Sequence, residues 1–213
     1  LEIGGKPILY YSMECFQKSP LIQDIILVTG EDMISYCQSE IVEKYGFTKV
    51  CKVTAGGKER YDSVYRGICA LEGADYVYIH DSVYAGLLCC QDTDYVYIHD
   101  GARPFVTEEM IQRGYEAVKR TNACVMGMPS KDTVKLADPS GYIKETPDRK
   151  IVWNIQTPQI FSYDLIRGAY ESIRKKDMSN VTDDAMVVEQ ETGTKILLVE
   201  GSYQNIKITT PED

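Results

Sequence analysis

The sequence predicts an α/β fold in which helices flank a mostly parallel sheet. Two continuous apolar runs, DIILVTG (24–30) and ACVMGMPS (123–130), have the look of strands that are buried on both faces. Segments with apolar residues at helical spacing stand between such runs, for example EEMIQRGYEAVKRTN (108–122). This alternation is typical of open parallel sheets, and a chain of 213 residues suits one domain.

The N-terminal part of the chain alternates helices with strands. The turn Gly4–Pro7 places its proline where it can open a helix over 8–19. Segment 31–46 also has helical spacing, and its last residue, Gly46, suits a C-terminal cap. The run TKVCKVTAGG (48–57) predicts a strand that enters a glycine turn.

The rest of the chain continues this alternation and adds an arm. Polar and apolar residues alternate on both sides of a Pro-Ser-Gly turn within 131–156, which predicts a hairpin-like arm. The other predicted elements are helices at 62–73, 108–122, 162–176 and 182–193, and strands at 75–81, 94–100, 195–201 and 204–210.

Composition excludes several classes of function. A net charge of −9 argues against non-specific binding to nucleic acid. Seven scattered cysteines without a C-x-x-C spacing, and only two histidines, argue against a zinc site. An odd, scattered set of cysteines is typical of reduced thiols in a cytoplasmic protein. The sequence has no apolar run of membrane-spanning length and no visible signal peptide.

Three polar loops are predicted to meet at one edge of the sheet. They are AGGKERYDS (55–63), IHDGARP (98–104) and MPSKDT (128–133), and each follows a predicted strand. Open parallel sheets bind ligands outside the carboxyl ends of their strands. The abundance of Gly, Arg, Lys, Asp and Thr in these loops favours a phosphate-bearing ligand together with a divalent cation.

The second loop gives the sharpest indication of chemistry. Asp100 ends a buried strand, where a carboxylate is costly unless it binds a metal or a partner, and Arg103 can fork to a phosphate. An internal pair of Asp100 with Arg103 remains the alternative. We interpret His99 as a packed core histidine. The loop at 56–63 precedes a predicted helix, whose N-terminus could bind an anion. An ordinary turn with solvated charges explains the same residues equally well.

Taken together, the motifs resemble those of a known enzyme family. GGKERYDSV, HDGARPF, PSKDT, TPDRKIVWNIQTPQ, TDDA and EGSYQNIKITTPED occur in the order seen in the 2-C-methyl-D-erythritol 4-phosphate cytidylyltransferase family. The resemblance implies a Rossmann-like nucleotidyltransferase domain with a protruding β-arm, about 131–156, that forms a homodimer. It also implies that CTP and methylerythritol phosphate react, with Mg²⁺, and that pyrophosphate is released.

The resemblance assigns roles to individual residues. It implies catalytic roles for Asp100, Lys207 and Arg149, the last supplied by the partner's arm, and makes Asp100 the metal ligand. The substrate-binding residues that it implies are Arg103, Thr133 and Thr157. The nucleotide-binding residues that it implies are Gly57, Arg60, Ser63 and Gly101. Lys58 stands where relatives carry an acid.

Two other functions stay open at the level of sequence. Ribitol-phosphate cytidylyltransferases resemble this chain throughout but tend to read HDSVRPF where it has HDGARPF (99–105), which favours the methylerythritol enzyme. The family's glycine-rich loop, AAGxGxRMG, and a following lysine should precede LEIGGKP (1–7), and neither is in the chain. A non-catalytic relic or dimerisation module is therefore the second alternative. Because the chain starts at Leu1 without methionine and stops at TTPED, we also expect it to be truncated at both ends.

A repeated segment complicates the sheet. DYVYIHD occurs at 75–81 and 94–100, and 62–81 matches 81–100 at twelve of twenty positions. The duplicated helix–strand unit spans about 62–100. Its two strands are identical while its two helical parts differ, which fits an out-of-register join of two related genes near Asp81 better than a recent tandem copy. Only the second copy continues into GARPF, so Asp100 and not Asp81 is the expected site residue. We expect that one helix–strand unit within 64–93 is extruded, disordered or poorly packed, because one place in the sheet cannot take both strands.

Overall fold

A seven-stranded sheet organises the protein. The computed structural model describes residues 2–55, 93–173 and 181–210 in full, and the backbone of 76–79. The strands of the sheet are β3 (Asp24–Thr29), β4 (Val50–Ala55), β5 (Tyr76–Ile79), β6 (Tyr95–Ile98), β7 (Ala123–Pro129), β10 (Trp153–Ser162) and β11 (Leu197–Glu200). Two small hairpins are formed by β1 (Glu2–Ile3) with β2 (Lys6–Pro7), and by β8 (Leu136–Ala137) with β9 (Ile143–Glu145).

The strand order is β11-β7-β10-β6-β5-β3-β4. Strand β10 runs antiparallel to both of its neighbours, while every other neighbouring pair is parallel. The prediction of a mostly parallel α/β sheet is therefore confirmed, with one antiparallel strand. Because the remaining strands all point the same way, their carboxyl ends meet at one edge, where the polar loops that follow them can form one site.

Helices cover both faces of the sheet. Within the described residues they are α1 (Ile8–Lys18), α2 (Ile34–Tyr36), α3 (Glu108–Thr121), α4 (Tyr163–Ile173) and α5 (Asp184–Thr192). Along β3, Ile26 and Val28 pack with the core beside α4 and α5, while Ile25 and Leu27 face the core beside α1 and α3. Burial on both faces explains why this strand reads as a continuous apolar run.

Residues at the helix ends behave largely as the sequence indicates. Helix α1 begins directly after Pro7 and follows a turn in which Gly4 and Gly5 have φ of 57° and 77°. Thr107 caps α3, and its hydroxyl accepts a hydrogen bond from the Met110 amide at 3.4 Å. Gly46 has φ of 68°, as its predicted place after a helix requires.

The helix expected over 31–46 is not uniform. It starts as a 3₁₀ turn (Glu31–Met33), passes through α2 and continues as a π-helix (Cys37–Glu43). The buried residues of the π-helix are Cys37, Ile41 and Val42, which lie four and five positions apart. Since a π-helix bonds residues five apart, its wider turn brings this spacing to one side. Helical spacing alone did not reveal the change of helix type.

Both copies of the repeated strand lie side by side in the sheet. Tyr76 pairs with Tyr95 and Ile79 with Ile98, in parallel, and β5 also pairs with β3. The expectation that the sheet could take only one copy is therefore wrong for these strands. The physical reason is that β5 finds a parallel partner on each side, so its insertion widens the sheet. The helical parts of the repeat lie outside the described residues.

One predicted strand is absent and the arm is only partly a hairpin. Segment 204–210, expected as a strand, has no strand structure and instead bonds locally and to the loop after β6, through Ile208 N–H and Ala102 O at 2.8 Å. Within the predicted arm, β8 and β9 form an exposed hairpin, whereas residues from Trp153 onward belong to the main sheet. No helix in the described parts of the chain is long and apolar enough to cross a bilayer.

Candidate active site

The loop after β6 turns back on itself at the carboxyl edge of the sheet. The strand ends at Ile98, and the Arg103 amide donates to the Asp100 carbonyl oxygen at 2.9 Å, which closes a tight turn. Gly101 is buried inside this turn. The turn places the Asp100 carboxylate and the Arg103 guanidinium on the same side of the sheet edge.

Asp100 is held between two cations. Its Oδ2 lies 3.1 Å from Lys207 Nζ and 3.5 Å from Arg103 Nε. The longer contact is mainly electrostatic, because Arg103 Nε is buried and has no hydrogen-bond partner in the described parts of the chain. The Asp100 and Arg103 side chains are 18% and 14% exposed and Lys207 is 46% exposed, so the cluster opens to solvent on the lysine side.

The cations keep the carboxylate ionised. Burial raises the pKa of Asp100, but the Lys207 ammonium, with smaller contributions from His99 and Arg103, outweighs burial and holds that pKa below its ordinary value. Asp100 is therefore negatively charged at neutral pH. Two positive groups around one negative group leave the cluster with a net positive charge, which suits phosphate.

Thr157 joins the cluster from β10. Its Oγ1 accepts a hydrogen bond from the Asp100 amide at 3.0 Å and lies 3.0 Å from His99 Nδ1. His99 Nε2 lies 3.0 Å from the Arg103 carbonyl oxygen, which can only accept, so Nε2 carries the proton. In the neutral ring, Nδ1 then accepts from the Thr157 hydroxyl. His99 thus fixes the loop, as its interpretation as a packed residue predicts, and it also packs against Phe16.

The segment after β11 delivers Lys207 and contributes residues that sequence reasoning missed. Asn205 is fully buried; its Nδ2 donates to the Thr157 carbonyl oxygen at 2.8 Å, and its own carbonyl oxygen accepts from Arg103 Nη1 at 2.8 Å. Gln156 Nε2 donates to the Ser202 carbonyl oxygen at 2.7 Å. Nothing in the sequence singles out either residue, since each is one of several amides inside a stretch that reads as alternating strand.

The structure brings together only part of the predicted site. Asp100, Gly101, Arg103, Thr157 and Lys207 lie in one cluster. Thr133 and Arg149 are exposed, and neither side chain makes a hydrogen bond or ion pair with that cluster in the described parts of the chain. Outside the described residues lie Gly57, Lys58, Arg60, Ser63 and Asp81.

A pocket of about 400 Å³ adjoins the cluster. Its walls come from the end of β3, the start of α1 and the helical segment after Gly30, and its rim includes Gly101, Ala102 and Ile208. A pocket of this size next to charged groups at a sheet edge is typical of a small-ligand site. The described residues hold no group of three or more His, Cys, Asp or Glu side chains arranged for a metal ion.

The chain is similar to proteins of one enzyme family. The model of 2-C-methyl-D-erythritol 4-phosphate cytidylyltransferase matches residues 1–87 and 80–213, two ranges that overlap where the second copy of the repeat begins. The curated protein of that name from Lachnospira eligens is 45% identical over 214 residues, which cover 100% of this chain and 86% of that protein. Its counterpart from Lachnoclostridium phytofermentans is 45% identical over 211 residues, 99% of this chain and 82% of that protein.

Solved structures agree with the sequence relatives. The 4-diphosphocytidyl-2C-methyl-D-erythritol synthase of Anaerococcus prevotii has a TM-score of 0.82 at 33% identity, covering 99% of this chain and 84% of that one. The 2-C-methyl-D-erythritol 4-phosphate cytidylyltransferase of Thermus thermophilus has a TM-score of 0.73 at 27% identity, covering 100% of this chain and 87% of that one. This chain therefore belongs to the 2-C-methyl-D-erythritol 4-phosphate cytidylyltransferase family.

Proposed function

We propose that this protein transfers CMP from CTP to 2-C-methyl-D-erythritol 4-phosphate and releases pyrophosphate. Relatives that carry the name of this activity are 45% identical over the whole chain, which supports this function over transfer to ribitol phosphate. The single observation that carries the proposal is the cluster of Asp100, Arg103 and Lys207 at the carboxyl edge of the sheet.

The cluster suits the chemistry of a phosphate that attacks another phosphate. An oxygen of the substrate phosphate forms a bond to the α-phosphorus of CTP, and the bond from that phosphorus to pyrophosphate breaks. Both reactants are anionic, so the main tasks are to hold them in line and to neutralise charge. Lys207 is half exposed beside Asp100, and its ammonium can therefore contact the attacking phosphate while it stays paired.

Arg103 and Thr157 would set the orientation of the substrate. Arg103 is anchored through Nη1 to the Asn205 carbonyl oxygen, which fixes the plane of its guanidinium. A fixed guanidinium presents its remaining N–H groups to a phosphate in a defined direction. The Thr157 hydroxyl is buried and engaged by His99 and the Asp100 amide, so it would act on the substrate by fixing the loop that carries Asp100.

Mg²⁺ fits Asp100 as its one protein carboxylate. Mg²⁺ is usually bound through one or two carboxylates plus substrate phosphates. Asp100 Oδ2 meets Lys207 and Arg103, whereas Oδ1 receives no hydrogen bond from the described residues and is the oxygen left for a cation. When bound there with the nucleotide phosphates, Mg²⁺ would neutralise the charge that develops on the leaving pyrophosphate.

We also propose that the arm pairs two copies of the chain, in the cytoplasm. Tyr142, Ile143 and Ile151 are 75%, 65% and 77% exposed, which leaves an apolar surface on and next to the β8–β9 hairpin. Burial of such a surface against a second copy is favourable, and Arg149 lies in the same 3₁₀ turn as Ile151. Free thiols at Cys37 and Cys124 are consistent with a reducing compartment.

Product analysis tests the proposed activity. The purified chain is incubated with CTP, Mg²⁺ and methylerythritol phosphate, and both pyrophosphate and the CDP-alcohol are measured. Stoichiometric appearance of the two products is expected. Failure of the chain to bind CTP or to form product, in a folded sample, would favour the non-catalytic alternative.

A further inference from the structure

Lys207 reaches the active-site cluster on a segment that no strand ladder holds. The backbone-to-backbone hydrogen bonds that join residues 201–208 to the rest of the protein lie near the two ends of this segment. Gly201 N–H donates to Gly127 O at 2.9 Å, and Ile208 N–H donates to Ala102 O at 2.8 Å. Between these ends, the backbone bonds stay within the segment, from Asn205 N–H to Ser202 O at 3.0 Å and from Ile206 N–H to Gln204 O at 2.8 Å. Something other than sheet pairing must therefore set the position of Lys207.

Asn205 contacts β10 through its side chain and Arg103 through its backbone. Its side-chain Nδ2 donates to the Thr157 carbonyl oxygen at 2.8 Å and approaches Gln156 Oε1 at 3.5 Å. Its backbone carbonyl oxygen accepts from Arg103 Nη1 at 2.8 Å. Asn205 thus contacts both the Arg103 side chain and the Thr157 backbone, and it stands two positions before Lys207.

The side chain of Asn205 is polar at a place where polarity is costly. The residue is fully buried, and its Oδ1 has no hydrogen-bond partner within the parts of the chain that the structure describes. A buried amide oxygen without a partner opposes folding, and a small apolar side chain would avoid that cost. The hydrogen bonds donated by Nδ2 are therefore the gain that favours an amide here.

We propose that Asn205 is a positioning residue, which fixes Arg103, Thr157 and Lys207 relative to one another around the substrate phosphate. It touches no reacting atom itself. Its side-chain amide ties the segment to β10, and its backbone carbonyl oxygen sets the direction of the Arg103 guanidinium. Together, the two contacts hold Lys207 at its distance from Asp100. The kinetic part of this inference rests on the proposed function.

Kinetics of an Asn205→Ala variant test the proposal. Displacement of positioned groups by about 1 Å can cost on the order of a hundredfold in rate, so kcat/KM for methylerythritol phosphate should fall by that order. The KM for CTP should stay within about twofold, because the contacts of Asn205 lie on the substrate-phosphate side. The matched control is Gln204→Ala, which removes an exposed neighbouring amide and should leave both constants unchanged. An unchanged kcat/KM for methylerythritol phosphate would overturn the proposal. A KM for CTP that rises as much as the KM for methylerythritol phosphate would also overturn it.

Amide hydrogen exchange provides a readout that needs no turnover. In Asn205→Ala, exchange should speed up at Ile208 and Asp100, whose amides bond to Ala102 O and Thr157 Oγ1. Exchange at Val125 in the central strand β7 should not change. Acceleration at all three amides would mean only a general loss of stability and contradict positioning, as would no acceleration anywhere. If the wild-type protein were inactive while Asn205→Ala still showed faster exchange at Ile208 and Asp100 alone, the proposed function would be contradicted. The positioning role of Asn205 would not be.

Discussion

Lys207 Nζ lies 3.1 Å from Asp100 Oδ2, although the two residues come from segments on opposite sides of the arm in the sequence. The pair joins the loop after β6 to the segment after β11, and Arg103 extends it on the other side of the carboxylate. The result is a fixed anion between two cations, at the edge where the proposed substrates would meet.

Removal of the Asp100 charge should stop the reaction. Asp100→Asn keeps the side-chain shape but removes the proposed Mg²⁺ ligand and the partner of Lys207, so kcat/KM should fall on the order of a hundredfold or more. The matched control is Asp81→Asn, which also follows a histidine in the other repeat copy and should retain activity. Steady-state pyrophosphate release measures both. An equal loss from the two variants would mean that the wrong copy has been assigned.

The pKa of Asp100 should depend on Lys207. The carboxyl has a lowered pKa in the folded protein, so its ionised form contributes stability above its unfolded pKa, about 3.9, and that contribution is lost as pH falls through the folded pKa. In Lys207→Met, burial remains while the ammonium is gone, and the pKa should rise. Carboxyl NMR titration of the two proteins should show a higher midpoint in the variant. Identical midpoints would show that Lys207 does not neutralise Asp100.

The sequence predicted those contacts of the candidate site that join residues close together in the chain. Asp100 and Arg103 are three positions apart on one tight turn, and the cost of burying a carboxylate at a strand end marked them without any structure. Thr157 and Lys207 carried no physical signal, because their roles depend on contacts between distant segments. Asn205 has the same explanation, since nothing in the sequence distinguishes this buried amide from its exposed neighbour Gln204.

In the fold, too, the sequence predicted the features that depend on neighbouring residues and missed those that depend on distant contacts. The run at β3 specified a strand buried on both faces, and the glycines at 4, 5 and 46 specified turns and a helix end. Two features could not be read locally: the π-helix (Cys37–Glu43), whose wider turn serves packing, and the coil at 204–210, whose alternating pattern looked like a strand. In that segment, tertiary contacts to Ala102 and Arg103 replace strand pairing.

The two copies of the repeated strand should both be protected from exchange. Tyr76–Ile79 and Tyr95–Ile98 are neighbours in the interior of the sheet, and each has a hydrogen-bonding strand on both sides. Their amides should exchange slowly, with protection comparable to that of β7. Hydrogen exchange with peptide resolution measures this, because flanking residues differ between the copies. Rapid exchange confined to 76–79 would restore the expectation that one copy is extruded.

Arg149 should act on the active site of the partner chain. It is exposed beside the apolar arm surface, and no contact in the described residues ties it to its own Asp100 cluster. Arg149→Ala and Lys207→Ala chains should each be inactive alone. In a mixed dimer, one site then lacks both residues and the other lacks neither.

Mixing the two inactive chains gives the measurement. With random pairing of equal amounts, half the dimers are mixed and each holds one intact site, so activity should approach about a quarter of wild type. A mixture of Lys207→Ala and Lys207→Met chains, which both carry the lesion at one residue, forms the control and should not recover. Absence of recovery, with heterodimers demonstrated by mass spectrometry, would place Arg149 in its own chain's site or outside the reaction.

The choice of acceptor distinguishes transfer to methylerythritol phosphate from transfer to ribitol phosphate. Methylerythritol phosphate and ribitol 5-phosphate are both polyol phosphates, so the cations around Asp100 could accommodate the phosphate of either one. The measurement is CTP turnover with the two acceptors in competition, with the CDP-alcohol products separated by mass. We expect a higher kcat/KM for methylerythritol phosphate, and we expect the Asp100→Asn variant to be inactive toward both acceptors. A preference for ribitol 5-phosphate, or product formation that survives loss of the Asp100 carboxylate, would contradict this expectation.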